Sequence, residues 1–418
     1  MERLSRMAEA NRAGKPTGLP CFCTANEHVL RSVLSFSAAA GLPTVIEATC
    51  NQVNQDGGYT GMLPGDFAGW IDDLATQEGL DRDLLLLGGD HLGPNPWRKQ
   101  PADIAMAKAR TLVRDYARAG FRKIHLDASM ALGGEAHPSF ECVAERAADL
   151  CEVAESAAPD PDALVYVIGT EVPVPGGEAV EPDRLDVTSV DRLRKTIDTH
   201  RAAFAARGLD AAWGRIASVV AQPGVDFGHS SVYRFDAAAA AELSRSVLDF
   251  PGLTFEAHST DYQPAEALEQ LVAGHFFFLK VGPELTFRLR EALFALSDIE
   301  ALLDLPHPSE LKRVLEDRMI ANPEHWRDYY RGGEAETRQM RQFSYSDRAR
   351  YYWGDAQLVS AVRRLLENLS GAGLKETIVS QYFNGYPFGH VPTDARELVS
   401  RHVQTTVRRY FAACGYSC

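Results

Sequence analysis

The fold class the sequence predicts is a single (β/α)8 barrel over residues 1–300, followed by a helical extension over 301–418 packed on or over it. Three observations predict it. Eight short apolar runs recur along the chain, and a segment of helical periodicity follows each of them, the alternation of a parallel sheet wrapped in helices. The 418 residues also exceed the roughly 250 usual for one barrel by enough to require an appended element.

The runs are Leu19 to Thr24, Thr44 to Thr49, Leu84 to Gly88, Lys123 to Leu126, Leu164 to Gly169, Ile216 to Val220, Leu253 to Ala257 and Phe276 to Val281. Strands buried on both faces should be almost continuously apolar, and the stretches LLLLGG and VIGT are. Between the third and fourth runs, Ala102 to Ala119 spaces Ile104, Ala107, Leu112, Val113 and Tyr116 by about three and four, an amphipathic stripe that stops at Gly120. Ser139 to Ala157 and Val190 to Arg207 repeat the pattern. Beyond residue 287 no convincing strand pair remains, while Glu310 to Ile320, Ala356 to Leu369 and Arg396 to Ala413 have helical character.

The net charge of −14 disfavours nucleic acid and anionic membrane as partners, because both are polyanions. No apolar run approaches the roughly 20 residues that span a bilayer, and Met1 to Gly18 lacks the apolar core of a signal peptide, so a cytoplasmic protein is expected. Seven cysteines scattered through the chain make no disulfide framework and have no zinc-site spacing. No Gly-rich loop of the GxxxxGK[ST] kind is present, so no nucleotide cofactor is expected.

In such barrels the loops after the strands converge on one mouth, so the ends of the eight runs are where chemistry is sought. The first leads to Asn26 and His28, the second holds Glu47 and leads to Asn51, Gln52 and Asn54, and the third leads to Asp90 and His91. The fourth carries His125 and Asp127, the fifth leads to Glu171, the sixth to Gln222, the seventh carries Glu256 and leads to His258, and the eighth carries Lys280. Any one of these fits a helix cap or a satisfied core group. Eight together are costly to bury without a polar ligand, a metal or water.

Asp90-His91 in GGDHLGPNPW is the sharpest local signal. Adjacent residues leaving a strand are expected on opposite sides, which would give His91 to a divalent metal and Asp90 to a substrate hydroxyl as general acid or base. His258 and Glu171 are the further candidate ligands, since imidazole and carboxylate suit zinc or manganese. Glu171 and Asp127 are also candidate catalytic carboxylates. Asn26, Glu47, Asn51, Gln52, Gln222 and Ser259 are candidate substrate contacts. Lys280 could form a Schiff base, but surrounding acids should keep it protonated, which favours charge stabilisation. Ser259, Thr260, Gly282 and the helix start near Pro283 form either a phosphate site or a simple helix cap. FSYSDRARYYWGD is either a packed helix start or a lid offering Arg348 to an anion.

The segments NQVNQDGGYTGM, GGDHLGPNPW, FRKIHLDASM, YVIGTEVPVPGGE, QPGVDF, EAHSTDYQ, LKVGPELTFRLREALFAL and SDRARYYW resemble the large subunit of class II D-tagatose-1,6-bisphosphate aldolase, long described as non-catalytic. The resemblance implies a barrel serving tagatose, galactitol or amino-sugar catabolism, with a sugar or sugar phosphate at its mouth. A smaller catalytic aldolase subunit is the implied partner, and a homo-oligomer is compatible with it. Family members have also been labelled tagatose-6-phosphate kinases, which the missing phosphate loop does not support. Catalytic class II aldolases similarly have Asp-His after a strand, the Asp as acid/base and the His on zinc, which maps onto Asp90 and His91. Their further zinc histidines fall where this chain has Gln222 and His258. The amide implies that the ordinary three-histidine set is absent. The resemblance also implies an alternative, a metal-dependent 4-epimerase of ketohexoses or their phosphates working by retro-aldol cleavage and recombination. A second alternative is a non-catalytic activating subunit.

Overall fold

The computed structural model describes residues 2–170, 185–387 and 389–417. Its strands are Leu19–Cys23 (β1), Thr44–Thr49 (β2), Leu85–Leu92 (β3), Lys123–Leu126 (β4), Val165–Ile168 (β5), Ile216–Val220 (β6), Asp226–Phe227 (β7), Val232–Tyr233 (β8), Thr254–Ala257 (β9) and Phe276–Val281 (β10). Eight of them close a barrel in the order β1, β2, β3, β4, β5, β6, β9, β10, all parallel, and the eight runs foreseen in the sequence are those eight. The antiparallel hairpin β7–β8 inserted before β9 was not foreseen, since two residues per strand leave no period to detect.

Alternation along each strand divides the core in two. Outward residues such as Leu87, Ile124, Tyr166, Val219, Phe255 and Leu279 pack against the surrounding helices. Inward residues at the lower end, including Leu19, Cys21, Val45, Val167, Val220 and Phe278, form a separate apolar plug. The helix Glu2–Arg12 covers that end through Leu4, Met7 and Ala8. Above the plug the inward positions become ionic: Glu47 on β2, Lys123 on β4 and Glu256 on β9 have no solvent exposure at all.

One glycine makes this ionic layer possible. Glu47 and Lys123 both lie in register with Gly88 of β3, the strand between them. A Cβ at Gly88 would stand 2.8 Å from Glu47 Cγ, so only glycine leaves the carboxylate room to reach across.

The outer helices Ala102–Arg118, Phe140–Ala157 and Val190–Ala206 fall where periodicity puts them, the last two capped by Ser139 and Ser189. After Pro283–Glu300 come Leu311–Ala321, Glu334–Phe343, Ala356–Ala372, Glu376–Tyr382 and Ala395–Ala413. The last of these packs against β1 and against the helices Glu27–Ala40, Ala265–Ala273 and Pro283–Glu300. Among the described residues no helix is long and apolar enough to cross a membrane.

Candidate active site

The strand ends open into a cavity of about 820 Å³ lined by Asn26, Asn51, Gln52, Tyr59, Asp90, His91, His258, Ser259, Asp261 and Lys280. The segment 346–355 roofs it with Arg348, Arg350, Tyr351 and Tyr352. The roof is tied to the barrel: Thr286 Oγ1 donates to Asp347 Oδ2 at 2.6 Å, Arg290 Nε pairs with Asp347 Oδ1 at 2.7 Å, and Tyr262 Oη donates to Tyr345 O at 2.6 Å. Of the two readings of FSYSDRARYYWGD, the segment does cover the mouth. Arg348 lies over the Tyr329 ring and donates to His325 O, so its guanidinium is held within the extension.

β3 runs four residues past the Gly88 expected as its end. His91 sits in it with φ 49°, a left-handed conformation that breaks the alternation of sides. The expectation that Asp90 and His91 face opposite ways is therefore corrected: both line the cavity, with His91 Nε2 3.7 Å from Asp90 Oδ2. Gly93 follows because a Cβ there would lie 1.6 Å from Asp127 O.

Three imidazoles meet at this point. The ring centroids of His91, His125 and His258 are 5.0 to 5.1 Å apart in every pairing. The third histidine comes from β4 and not from the position of Gln222; donor atoms of His125 and His258 lie within 4.8 Å of each other and of Asp90 and Glu256, a group that does not include His91. Gln222 Oε1 instead accepts from the backbone of Gly224 and Val225 at 2.8 and 2.9 Å, which fixes a turn. His125 was recognised at a strand end but not as a ligand; its signal was the period of two in Lys123, His125 and Asp127, which places all three on the barrel's inner side.

Each imidazole has an orienting partner. His91 Nδ1 is 2.8 Å from Asp127 Oδ2, and His258 Nε2 is 2.8 Å from Glu256 Oε1. His125 Nδ1 lies 2.9 Å from Asp90 Oδ1 and 3.1 Å from the backbone N–H of His91; one nitrogen cannot serve both, and the tautomer chooses. With the proton on Nδ1, the lone pair sits on Nε2, which is buried and has no hydrogen-bond partner among the described residues.

The floor is a charged lattice. Lys123 Nζ is 2.7 Å from Glu47 Oε1 and 2.5 Å from Glu256 Oε2. Lys280 Nζ is 2.8 Å from Asp90 Oδ1 and also pairs with Glu47 Oε2. Burial pushes the Asp90 carboxyl up, but the charges of His91 and Lys280 outweigh it and hold it well below the usual range. Burial likewise opposes the Lys280 ammonium, and Asp90 and Glu47 overcome it and favour the protonated amine. Burial lowers His258 to about 4 despite Glu256, keeping a neutral, metal-competent ring. Asp127 is held at about 2: burial raises it, and the bond to His91 more than offsets that.

Two observations test whether a divalent cation fits. Donor atoms of Asp90, His125, Glu256 and His258 all lie within 4.8 Å of one another. Among the described residues the carboxylates of Asp90, Asp127, Glu47 and Glu256 face the ammonium groups of Lys123 and Lys280, a surplus of two negative charges with neutral imidazoles, which becomes one when His91, lowered by burial but raised further by Asp90 and Asp127, takes a proton. A divalent ion would balance it. Glu171, the remaining ligand candidate, lies outside the described residues.

Other candidates have plainer positions. Asn26 lines the cavity while its Oδ1 caps the helix Glu27–Ala40, accepting from Val29 N at 3.2 Å. Gln52 Oε1 accepts from Thr49 N at 2.7 Å, and Asp127 is buried behind His91, bonded to Ser129. The helix start near Pro283 is capped: Asp261 Oδ1 accepts from Gly282 N and Glu284 N at 2.9 and 2.8 Å. Tyr59, whose ring meets Tyr351 edge-on at 4.8 Å, and His229 of the β7–β8 hairpin also line the mouth and were not foreseen.

Fold and mouth together define a (β/α)8 barrel protein whose strand ends carry a carboxylate and three imidazoles around one point. Over residues 4–415 the chain matches the family model described as D-tagatose-1,6-bisphosphate aldolase subunit GatZ/KbaZ-like, and it belongs to that family. A solved structure from Sinorhizobium meliloti 1021, described as a probable tagatose 6 phosphate kinase, is 43% identical with a TM-score of 0.88, over 95% of this chain and 100% of the other. Weaker likenesses include the fructose-bisphosphate aldolase of Campylobacter jejuni, 11% identical with a TM-score of 0.47 over 89% of this chain and 93% of that one. The YdjI aldolase of Escherichia coli K12 is 10% identical with a TM-score of 0.43, over 85% and 94%.

Proposed function

We propose that this chain carries a metal-assisted site for a ketohexose or ketohexose phosphate and breaks or remakes its C3–C4 bond, within tagatose-bisphosphate aldolase-related sugar catabolism. The observation that carries the proposal is the convergence of His91, His125 and His258 beside an ionised Asp90. His125 and His258, whose donor atoms lie together, would hold zinc or manganese with His91 beside them; when bound, such an ion polarises the C2 carbonyl of the sugar as a Lewis acid.

The chain's own groups account for the rest. Asp90, ionised at neutral pH and open to the cavity, is placed to take the proton of the C4 hydroxyl as the C3–C4 bond cleaves. Lys280, 2.8 Å from Asp90, keeps that carboxylate charged before the transfer. Asp127 and Glu256 fix the orientation of His91 and His258. The roof from Ser346 to Asp355 would limit the access of water to the carbanion equivalent.

The roof also favours a second reading, 4-epimerisation: an aldehyde fragment retained beneath it can turn and recombine before release. One assay separates the readings. The purified chain is analysed for metal, then incubated with fructose, fructose 6-phosphate, tagatose 6-phosphate and tagatose 1,6-bisphosphate, with and without zinc or manganese. Triose products support cleavage and interconverted hexoses support epimerisation. Silence in every mixture until a small aldolase subunit is added supports an activating subunit and defeats both.

A further inference from the structure

The loops after the last two barrel strands are where this fold commonly seats a phosphate, on the free amides of a helix start. Here those amides are spent. Asp261 Oδ1 accepts from Gly282 N at 2.9 Å and from Glu284 N at 2.8 Å at the head of the helix Pro283–Glu300. Asp261 is only 2% exposed, yet it lines the cavity, and its Oδ2 makes no hydrogen bond to another described residue.

The surroundings reinforce this. A second carboxylate, Glu284, is fully buried beside it and held by Tyr262 N at 2.6 Å, Thr406 Oγ1 at 2.9 Å and Arg409. An incoming phosphate would meet a carboxylate where it needs N–H donors, and like charges so juxtaposed repel. A sugar hydroxyl, by contrast, can donate a hydrogen bond to that carboxylate.

We propose that Asp261 is a specificity-determining residue that occupies the amide cradle and reserves this end of the cavity for an uncharged, hydroxyl-bearing end of a sugar. The inference rests on the assignment of the cavity to a sugar, and it narrows the substrate class to ketoses unphosphorylated at the end that lies against β9 and β10. Burial raises the Asp261 carboxyl to about 7, so the charge is best examined at pH 8.

The test is calorimetric titration at pH 8 of the full chain with inorganic phosphate, tagatose and tagatose 6-phosphate, repeated for Asp261→Gly and Asp261→Asn. The glycine variant bares both amides, while the asparagine variant keeps a capping oxygen, removes the charge and puts an N–H donor in place of the second oxygen. Affinity for inorganic phosphate should rise by more than about tenfold in the glycine variant and by less in the asparagine variant. The preference for tagatose over tagatose 6-phosphate should shrink in the same order. If the glycine variant does not fold, a rise in the asparagine variant decides for the proposal. Phosphate affinity equal in wild type and every folded variant overturns it. Absence of turnover on all hexoses would defeat the lyase proposal without touching this titration.

Discussion

Replacing Lys123 with methionine tests whether the barrel floor is truly ionic. The ammonium has no solvent exposure and neutralises Glu47 and Glu256 at 2.7 and 2.5 Å, with the Phe278 ring 4.7 Å away. Methionine fills nearly the same space, so packing is preserved and charge alone is removed. Glu47 retains Lys280, but Glu256 keeps only His258 as a direct partner. Leaving one member of a buried pair uncompensated costs about 3–5 kcal/mol. At about 2.1 cal/mol/K of unfolding entropy per residue, the 418-residue chain loses roughly 1 °C for each kcal/mol, so calorimetry should show Tm lower by about 3–6 °C at pH 7. In the wild type burial raises Glu256, and Lys123 and Lys280 overcome it to hold it well below its usual value. A depressed carboxyl contributes stability above its unfolded pKa and loses it only as pH falls through the folded one. Without Lys123 burial gains the upper hand, the folded pKa rises, and the deficit of the variant should narrow as pH is lowered from 7 toward 5. Adding Glu256→Gln should restore much of the loss. A Lys123→Met protein that melts within about 1 °C of wild type at every pH would refute the ionic floor.

Asp90→Asn should lower kcat by about 10² to 10⁴-fold on whichever hexose proves active, with Tm and substrate affinity changing far less; parity of kcat excludes it as the acid/base. His125→Ala should lose bound metal in elemental analysis, and Asp127→Asn should weaken metal affinity by about 10 to 100-fold through the freed His91 ring. Full metal content in both variants rejects the imidazole set. Asp261 has a folded pKa near 7, above that of an unfolded aspartate, so the folded state holds a proton the unfolded state lacks between about pH 4 and 7. Stability should therefore decline as pH rises through that window, and urea midpoints of Asp261→Asn should show a smaller decline. Asp347→Ala removes the anchor of the roof and leaves buried Arg290 without its carboxylate, so limited proteolysis should cut near residues 344–353 well before wild type is touched.

The barrel was legible because its strands are buried on both faces and so are written as apolar runs, and because an amphipathic segment follows nearly every run. What escaped was local. The left-handed backbone of His91 depends on the bulge that forms where β3 outruns β4, a register effect that no single strand displays. His125 escaped as a ligand because its neighbours in space, His91 and His258, stand 34 and 133 positions away in the chain, and only closure of the barrel brings them together. The helix start near Pro283 was left between a phosphate site and a simple cap, and Asp261, which caps it, was not singled out because its partners Gly282 N and Glu284 N lie 21 and 23 positions further on. The helix Glu2–Arg12 was passed over as a polar terminus; its few apolar residues suffice because the plug beneath the barrel is small.

The first strand and the helix Ala395–Ala413 are sewn together: Gly18 N donates to Cys414 O at 3.1 Å, and that helix lies on β1. During synthesis the first strand must therefore wait for the helix Ala395–Ala413 before its outer face is covered. Long separations of this kind slow assembly. A nascent barrel cut short by a few dozen residues would carry all eight strands and still lack the seam that keeps them shut.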